Sequence, residues 1–195
     1  MDLDQLREAI VSGDPSRAMP ALAALREASV EQAVPLLLLG LEQSTFMVRS
    51  LSCAGLGMKR NEAGWLALVQ ALEHDEDANV RAEAANALVS HSLQRAWPLL
   101  LPAFQRDSQW LLRCSILSAV AEHPEIPPED LLQLARLAIA DADGTVRVGG
   151  AEILGRLVHE GGEQPVAQQA RAELVALQQD GDHRVVAAAL NGLQA

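Results

Sequence analysis

One pattern recurs five times along the chain, at intervals close to the length of a helix pair. Each copy has an acidic turn, then an apolar anchor residue, then small or apolar residues at helical spacing; Asp75-Glu-Asp-Ala-Asn-Val-Arg81 opens the clearest copy. Successive anchors are 32, 32, 34 and 39 residues apart. A period of this size is typical of stacked helix pairs, each of which buries its apolar face only against its neighbours. The anchors are Val48, Val80, Leu112, Val146 and, in a degenerate last copy, Val185.

The pattern predicts an all-α fold, an α–α superhelix of about six antiparallel helix pairs. In each pair an A helix precedes a B helix, and the B helix carries the anchor. Aromatic residues make up only 3% of the chain and tyrosine is absent, which favours helix over sheet. We predict a single domain over residues 1–195. Residues 1–28 form an atypical N-terminal capping repeat and residues 29–195 form five repeats.

Charge and composition exclude several classes of partner. Fifteen basic residues face 26 acidic ones, and a net charge of −11 repels phosphate backbones, so we expect no nucleic acid. No run of eighteen apolar residues occurs, so we expect no membrane insertion. Cys53 and Cys114 lie two repeats apart, too far for a disulfide. Two free thiols are typical of a reducing cytoplasm, where we expect the protein to reside.

The residue after the anchor is arginine in four copies and Val186 in the last. This arginine lies in the first turn of a B helix, where its planar fork can reach the acidic turn of a neighbouring repeat. Four of the five residues three before the anchors suit helix N-caps, namely Thr45, Asp77, Asp143 and Asp182, whereas Gln109 is a poor cap that Ser108 can replace. We predict a ladder of structural ion pairs between repeats, formed by Arg49, Arg81, Arg113 and Arg147 with Asp77 and Asp143.

A second stripe on the B helices points away from the anchors by helical phase. It is small, weakly polar and nearly uncharged, whereas a solvated helix face usually carries Lys and Glu. One interpretation is a concave groove for an apolar helix or a flat ligand. The other is that tight curvature buries the stripe between helices. The predicted inner stripe consists of Ser50, Ala54, Ala82, Ala85, Asn86, Val89, Cys114, Leu117, Ser118, Ala121, Val148 and Glu152.

The acidic turn, the apolar-Arg pair and the small-residue B helix resemble HEAT-like repeats. Within that superfamily the chain is similar to the phycobilisome-lyase type, which includes bilin lyases, bilin isomerases and phycobilisome degradation adaptors. The resemblance covers residues 29–195 well and residues 1–28 weakly. It is carried by Asp77-Ala-Asn-Val-Arg81, Asp141-Ala-Asp-Gly-Thr-Val-Arg147 and Asp180-Gly-Asp-His-Arg-Val185.

These matching residues are scaffold positions, and the sequence contains no catalytic or metal-binding signature. We therefore predict a non-enzymatic adaptor that binds a segment of another protein in the concave groove, without a cofactor. The resemblance implies an alternative: a subunit of a bilin lyase or isomerase, or a chromophore chaperone, with a bilin tetrapyrrole as ligand. The sequence leaves both a monomer and a heterodimer open.

Overall fold

The computed structural model describes residues 2–121 and 123–194, and all regular structure in them is helical. The chain divides into two compact units, residues 1–106 and 107–195. The boundary falls between the two helices that the sequence assigns to the third repeat. Glu122, the predicted last residue of that B helix, lies outside the described residues. The single domain over 1–195 stays a prediction.

The first unit holds seven α-helices and one 3₁₀ turn, Leu25–Glu27. Helices that are adjacent in sequence form the predicted pairs, and buried leucines, valines and alanines from both members fill the space between them. The helices are α1 (Leu3–Ile10), α2 (Pro15–Ala24), α3 (Val30–Leu41), α4 (Phe46–Met58), α5 (Glu62–His74), α6 (Ala78–His91) and α7 (Leu93–Arg106).

The second unit holds five helices, of which the B helices α8, α10 and α12 pack in series and the A helices α9 and α11 lie beside them. All five anchors are at most 2% exposed, so the predicted buried phase of the B helices is confirmed. The helices are α8 (Trp110–Val120), α9 (Pro128–Ile139), α10 (Gly144–Gly161), α11 (Pro165–Leu177) and α12 (His183–Leu193). Throughout the described residues, no helix is both long enough and apolar enough to cross a membrane.

Aspartates three residues before the anchors cap the B helices. Asp77 Oδ1 accepts from Asn79 N at 2.8 Å, Asp143 Oδ1 from Thr145 N at 2.7 Å, and Asp182 from Arg184 N at 2.9 Å. The predicted N-caps at Asp77, Asp143 and Asp182 are thus confirmed, whereas the side chain of Thr45 makes no cap hydrogen bond. The assignment of Asp77 and Asp143 to the ion-pair ladder is wrong, because their carboxylates are directed at the helix starts.

The ladder is instead built on the aspartates five residues before the anchors. Arg49 Nε donates to Asp75 Oδ2 at 2.8 Å, and its Nη2 donates to Oδ1 at 3.0 Å. In the second unit Arg113 pairs with Asp141, and Arg147 pairs with Asp180 at 2.9 and 3.0 Å. Each pair joins one repeat to the next, so neighbouring turns are held at a fixed distance.

The same guanidiniums also close the turns of their own repeats. Nη1 of Arg49 donates to the carbonyls of Gln43 and Ser44 at 3.0 and 2.8 Å, and Nη1 of Arg81 donates to those of Asp75 and Glu76 at 2.8 and 3.1 Å. The arginine side chain therefore binds the carbonyl groups of the turn before its own B helix and orients the start of that helix.

Candidate functional site

In the first unit three of the six residues of the predicted inner stripe are buried. On α6, Ala82 is 4%, Ala85 is 0% and Val89 is 6% exposed, and only Asn86 is partly accessible. This helix is small or apolar on almost its whole circumference, and a helix of that kind is enclosed on several sides. The expectation that this part of the stripe faces solvent is wrong for those three residues. On α4, Ser50 and Ala54 keep partial exposure.

Glycine explains how closely B helices can approach each other. A Cβ atom added to Gly57 would lie 3.0 Å from Ala87 Cα, and one added to Gly192 would lie 2.9 Å from Gly155 Cα. These contacts join position nine after the anchor of one B helix to position seven of the next. Backbones can meet in this way only where at least one partner lacks a side chain.

The pair α8 and α10 departs from this arrangement. The equivalent positions hold Ala121 and Ile153, and side chains on both partners exclude a backbone contact of that kind. A cavity of 450 Å³ lies between these two helices. Five of its lining residues were predicted from the inner stripe and are accessible here: Cys114, Ser118, Ala121, Val148 and Glu152. The lining is completed by buried Leu117, another predicted residue, and by Thr145 and Gly149.

A shallower depression of 560 Å³ continues from this cavity between α10 and α12. Val148 and Glu152 line both spaces, so the two form one surface, which we call the B-helix trough. On the side of α12, the trough extends beyond the residues of the predicted inner stripe. The depression adds Gly155, Arg156, His159, Arg184, Ala187, Ala188, Asn191 and Gly192 to the lining.

Glu152 is the electrostatic centre of the trough. Its side chain is exposed, and its carboxylate makes no hydrogen bond or ion pair with any residue that the structure describes. Burial raises the pKa of the nearby Cys114 thiol, and the carboxylates of Asp143, Asp141 and Glu152 raise it further. These effects outweigh that of Arg113, which lowers the pKa of the thiol, so the cavity disfavours a thiolate at Cys114.

Two arginines that line the α12 side are already engaged. Arg156 donates to the carbonyl oxygens of Ala121 and His123 at 2.6 and 2.9 Å, and its Nε lies 3.0 Å from Glu160 Oε1. Arg184 is held by Asp182, whose pKa it lowers to about 2. These guanidiniums are largely neutralised by their own partners, which leaves the imidazole of His159 as an exposed polar group beside them.

The two cysteines differ sharply in accessibility. Cys53 is fully buried, and desolvation raises the pKa of its thiol to about 12. Cys114 is partly exposed in the trough. Neither thiol is activated as a nucleophile, because activation requires a lowered pKa.

The aspartates of the ladder were missed by the sequence analysis, although the signal was present. Asp75, Asp141 and Asp180 all stand five residues before an anchor. A carboxylate recurring at one repeat position indicates a contact made by every repeat. Arg184, which lines the trough, follows His183 at a point where the last copy departs from the repeat, and that departure is a sequence signal for a site near α12.

Comparison with known proteins supports the class of protein that these helix pairs define. Residues 34–121 match the family model of HEAT repeats, and the helix pairs of the described residues have the architecture of a HEAT-like α solenoid. A search of curated proteins found no match. Among solved structures, YibA of Escherichia coli is similar over 99% of this chain and 70% of its own, with 17% identity and a TM-score of 0.71, which supports the fold.

A second solved structure in the comparison is the complex of CpcE and CpcF of phycocyanin lyase from Nostoc sp. PCC7120. The match covers 97% of this chain and 96% of the other, with 21% identity and a TM-score of 0.43.

Proposed function

We propose that the protein is a non-enzymatic adaptor that binds a segment of another protein in the B-helix trough. The observation that carries this proposal is the unpaired carboxylate of Glu152 in the middle of a small, largely apolar lining. Pockets of about 300–1,000 Å³ commonly hold ligands that combine an apolar body with a few polar anchors. As part of the same proposal we place the protein in the cytoplasm, since both cysteines are free.

The residues that line the trough indicate which side chains the bound protein segment carries. An apolar side chain fits between α8 and α10, against Leu117 and Val148. A lysine or arginine one helical turn away on the segment can then pair with Glu152. A charge-assisted hydrogen bond of this kind fixes the register of a bound helix or extended chain.

A second candidate function is a subunit of a bilin lyase or isomerase, or a chromophore chaperone. It is favoured by the presence of Arg156, His159 and Arg184 along the α10–α12 depression, since free bilins carry two propionates. Against it stand the internal ion pairs of both arginines and the unpaired carboxylate of Glu152, which repels a dianion. We therefore place the adaptor first.

The experiment is a capture of partners from the native host with the wild-type chain and with matched variants. Ser118→Arg places a cation and a long side chain on the exposed rim of the trough, where it blocks the segment and repels its basic residue. We expect affinity for the captured partner to fall by more than about tenfold, which requires only about 1.4 kcal/mol. Glu152→Lys should have the same effect, because it reverses the central charge.

Ser90→Arg is the matched control, since Ser90 is exposed on α6 outside the trough. Normal binding by Ser118→Arg and Glu152→Lys at an unchanged melting temperature would show that the partner does not bind in the trough. Co-expression with a bilin-producing pathway distinguishes the second candidate, because only that candidate yields a pigmented protein.

A further inference from the structure

A free carboxylate and free nitrogen donors lie at opposite ends of the B-helix trough. Between α8 and α10 the free group is the carboxylate of Glu152, which makes no hydrogen bond or ion pair with any described residue. Between α10 and α12 it is the exposed imidazole of His159, which likewise has no partner among the described residues. An imidazole donates from at least one ring nitrogen in either protonation state. One end of the trough therefore accepts a hydrogen bond and the other donates one.

Arg184 adds a second donor at the end of the trough that lies against α12. Its Nε and Nη2 donate to the carboxylate of Asp182 at 3.1 and 2.7 Å. Its Nη1 makes no hydrogen bond with any residue that the structure describes, and the side chain is 60% exposed. All three nitrogens of Arg156, by contrast, donate to groups of the same unit. An incoming acceptor can therefore bind His159 and the Nη1 of Arg184.

The distance between the two ends follows from the geometry of α10. Glu152 and His159 are seven residues apart on the continuous helix Gly144–Gly161. Seven residues make almost two full turns, so the two side chains leave the same face, about 10 Å apart along the helix axis. Both side chains line the α10–α12 depression, as this spacing requires.

The trough favours a helical occupant over an extended one. It lies between α8, α10 and α12, which bond their backbone groups internally, so its described lining offers no strand edge to an extended chain. A helix satisfies its own backbone groups and needs partners only for its side chains. Small residues between the two ends, Gly155, Ala187 and Ala188, allow such a helix to approach closely. A helix along α10 has the same rise per residue, so its residues seven apart stand opposite Glu152 and His159.

We infer that the trough binds an amphipathic helix of the partner, which carries a lysine or arginine and, two turns away, an aspartate or glutamate. The basic residue pairs with Glu152, and the acidic residue accepts hydrogen bonds from His159 and Arg184. A large apolar residue between them covers Gly155 and Ala188. This inference rests on the proposed function and adds to it the helical form of the segment, the second charge and its distance from the first.

The test is a selection from displayed random peptides of about 16 residues, long enough for about four turns of helix. The immobilised proteins are the wild-type chain, Glu152→Lys and His159→Glu. We expect peptides enriched on the wild type to share a basic and an acidic residue seven positions apart. On Glu152→Lys the basic position should become acidic, and on His159→Glu the acidic position should become basic, because each substitution changes the charge at one end of the trough.

The affinity of one enriched peptide measures the acidic contact by itself. His159→Glu should weaken its binding at least about tenfold, and exchange of the acidic residue of the peptide for lysine should restore it. His74→Glu is the matched control, because the side chain of His74 is 67% exposed on α5, outside the trough. It should leave the affinity unchanged. Melting temperatures of the variants verify that the fold is kept.

The outcomes separate this inference from the proposed function. Enriched peptides that share a basic residue without an acidic one at the expected distance would overturn the inference and leave the adaptor function in place. A spacing of about three residues, with which an extended chain covers about 10 Å, would overturn the helical form. An equal loss of affinity in His74→Glu would overturn the role of His159. If the wild type enriches no peptide, the proposed function fails together with the inference.

Discussion

Arg147 and Asp180 are joined by two parallel hydrogen bonds, of 2.9 Å from Nε and 3.0 Å from Nη2. The remaining Nη1 donates to the carbonyls of Asp141 and Ala142, both at 3.0 Å. One guanidinium thus connects three segments of chain: its own helix, the turn before it and the turn of the next repeat. Its side chain is 19% exposed and that of Asp180 is 12% exposed, so water screens the pair only in part.

We predict that Arg147→Ala lowers the free energy of unfolding by about 1–3 kcal/mol, between the values typical of exposed and of buried pairs. The loss combines the broken ion pair with two turn carbonyls that lose a donor. Chemical denaturation monitored by circular dichroism measures it. Arg171→Ala is the control, since Arg171 is an exposed arginine without a hydrogen bond to any described residue. An equal loss of stability in the control would show that the ion pair between Arg147 and Asp180 does not stabilise the fold.

The same pair predicts an acid dependence. Arg147 holds the pKa of Asp180 below its ordinary value of 3.8, so the folded state binds the proton less readily than the unfolded state. The stabilisation is fully present above pH 3.8 and is lost as the pH falls through the lowered pKa. Thermal melts between neutral pH and about pH 2 should show a smaller acid-induced loss for Asp180→Asn than for the wild type. Identical pH profiles would contradict the assignment.

The close approach of α10 and α12 predicts that Gly192→Ala destabilises the second unit. The new Cβ would lie 2.9 Å from Gly155 Cα and 3.0 Å from Leu174 Cδ1. Overpacking costs about 1–3 kcal/mol and outweighs the gain of about 1 kcal/mol in helix propensity. Gly181→Ala is the control, because a Cβ there meets no atom within 4 Å. Equal melting temperatures for wild type and Gly192→Ala would show that the two helices separate without strain.

Thiol labelling tests the difference in burial between the cysteines. Cys53 is fully buried with a pKa of about 12, whereas Cys114 is partly exposed and lines the trough. An aromatic disulfide reagent should modify one thiol in the native protein and two after denaturation. Cys114→Ser should abolish the native reaction. Rapid modification of both thiols in the native state would show that α4 and α6 open readily.

The repeat register, the N-caps at Asp77 and Asp143 and the buried anchors could be predicted from the sequence, because each follows from local spacing. Burial of Ala82, Ala85 and Val89 could not be predicted in this way. Helical phase shows which side of a helix faces away from its own partner, but not which other elements cover that side. The trough at Ser118 and Glu152 depends on the distance between α8 and α10. That distance is set by side chains on two helices, so neither helix alone reveals it.

The ladder also has a consequence for how a chain of this kind can change in length. The three junctions described within the two units use the same chemistry, an arginine one residue after an anchor and an aspartate five residues before the next. Excision of one complete period, from the turn at Asp141 to the residue before the turn at Asp180, would place Arg113 opposite Asp180 with no charge left unmatched. Excision of half a period would place a helix, and no acidic turn, next to the arginine, which would then have no carboxylate partner. Gain and loss of sequence are therefore tolerated in whole repeats, and the interchangeable unit runs from one acidic turn to the next.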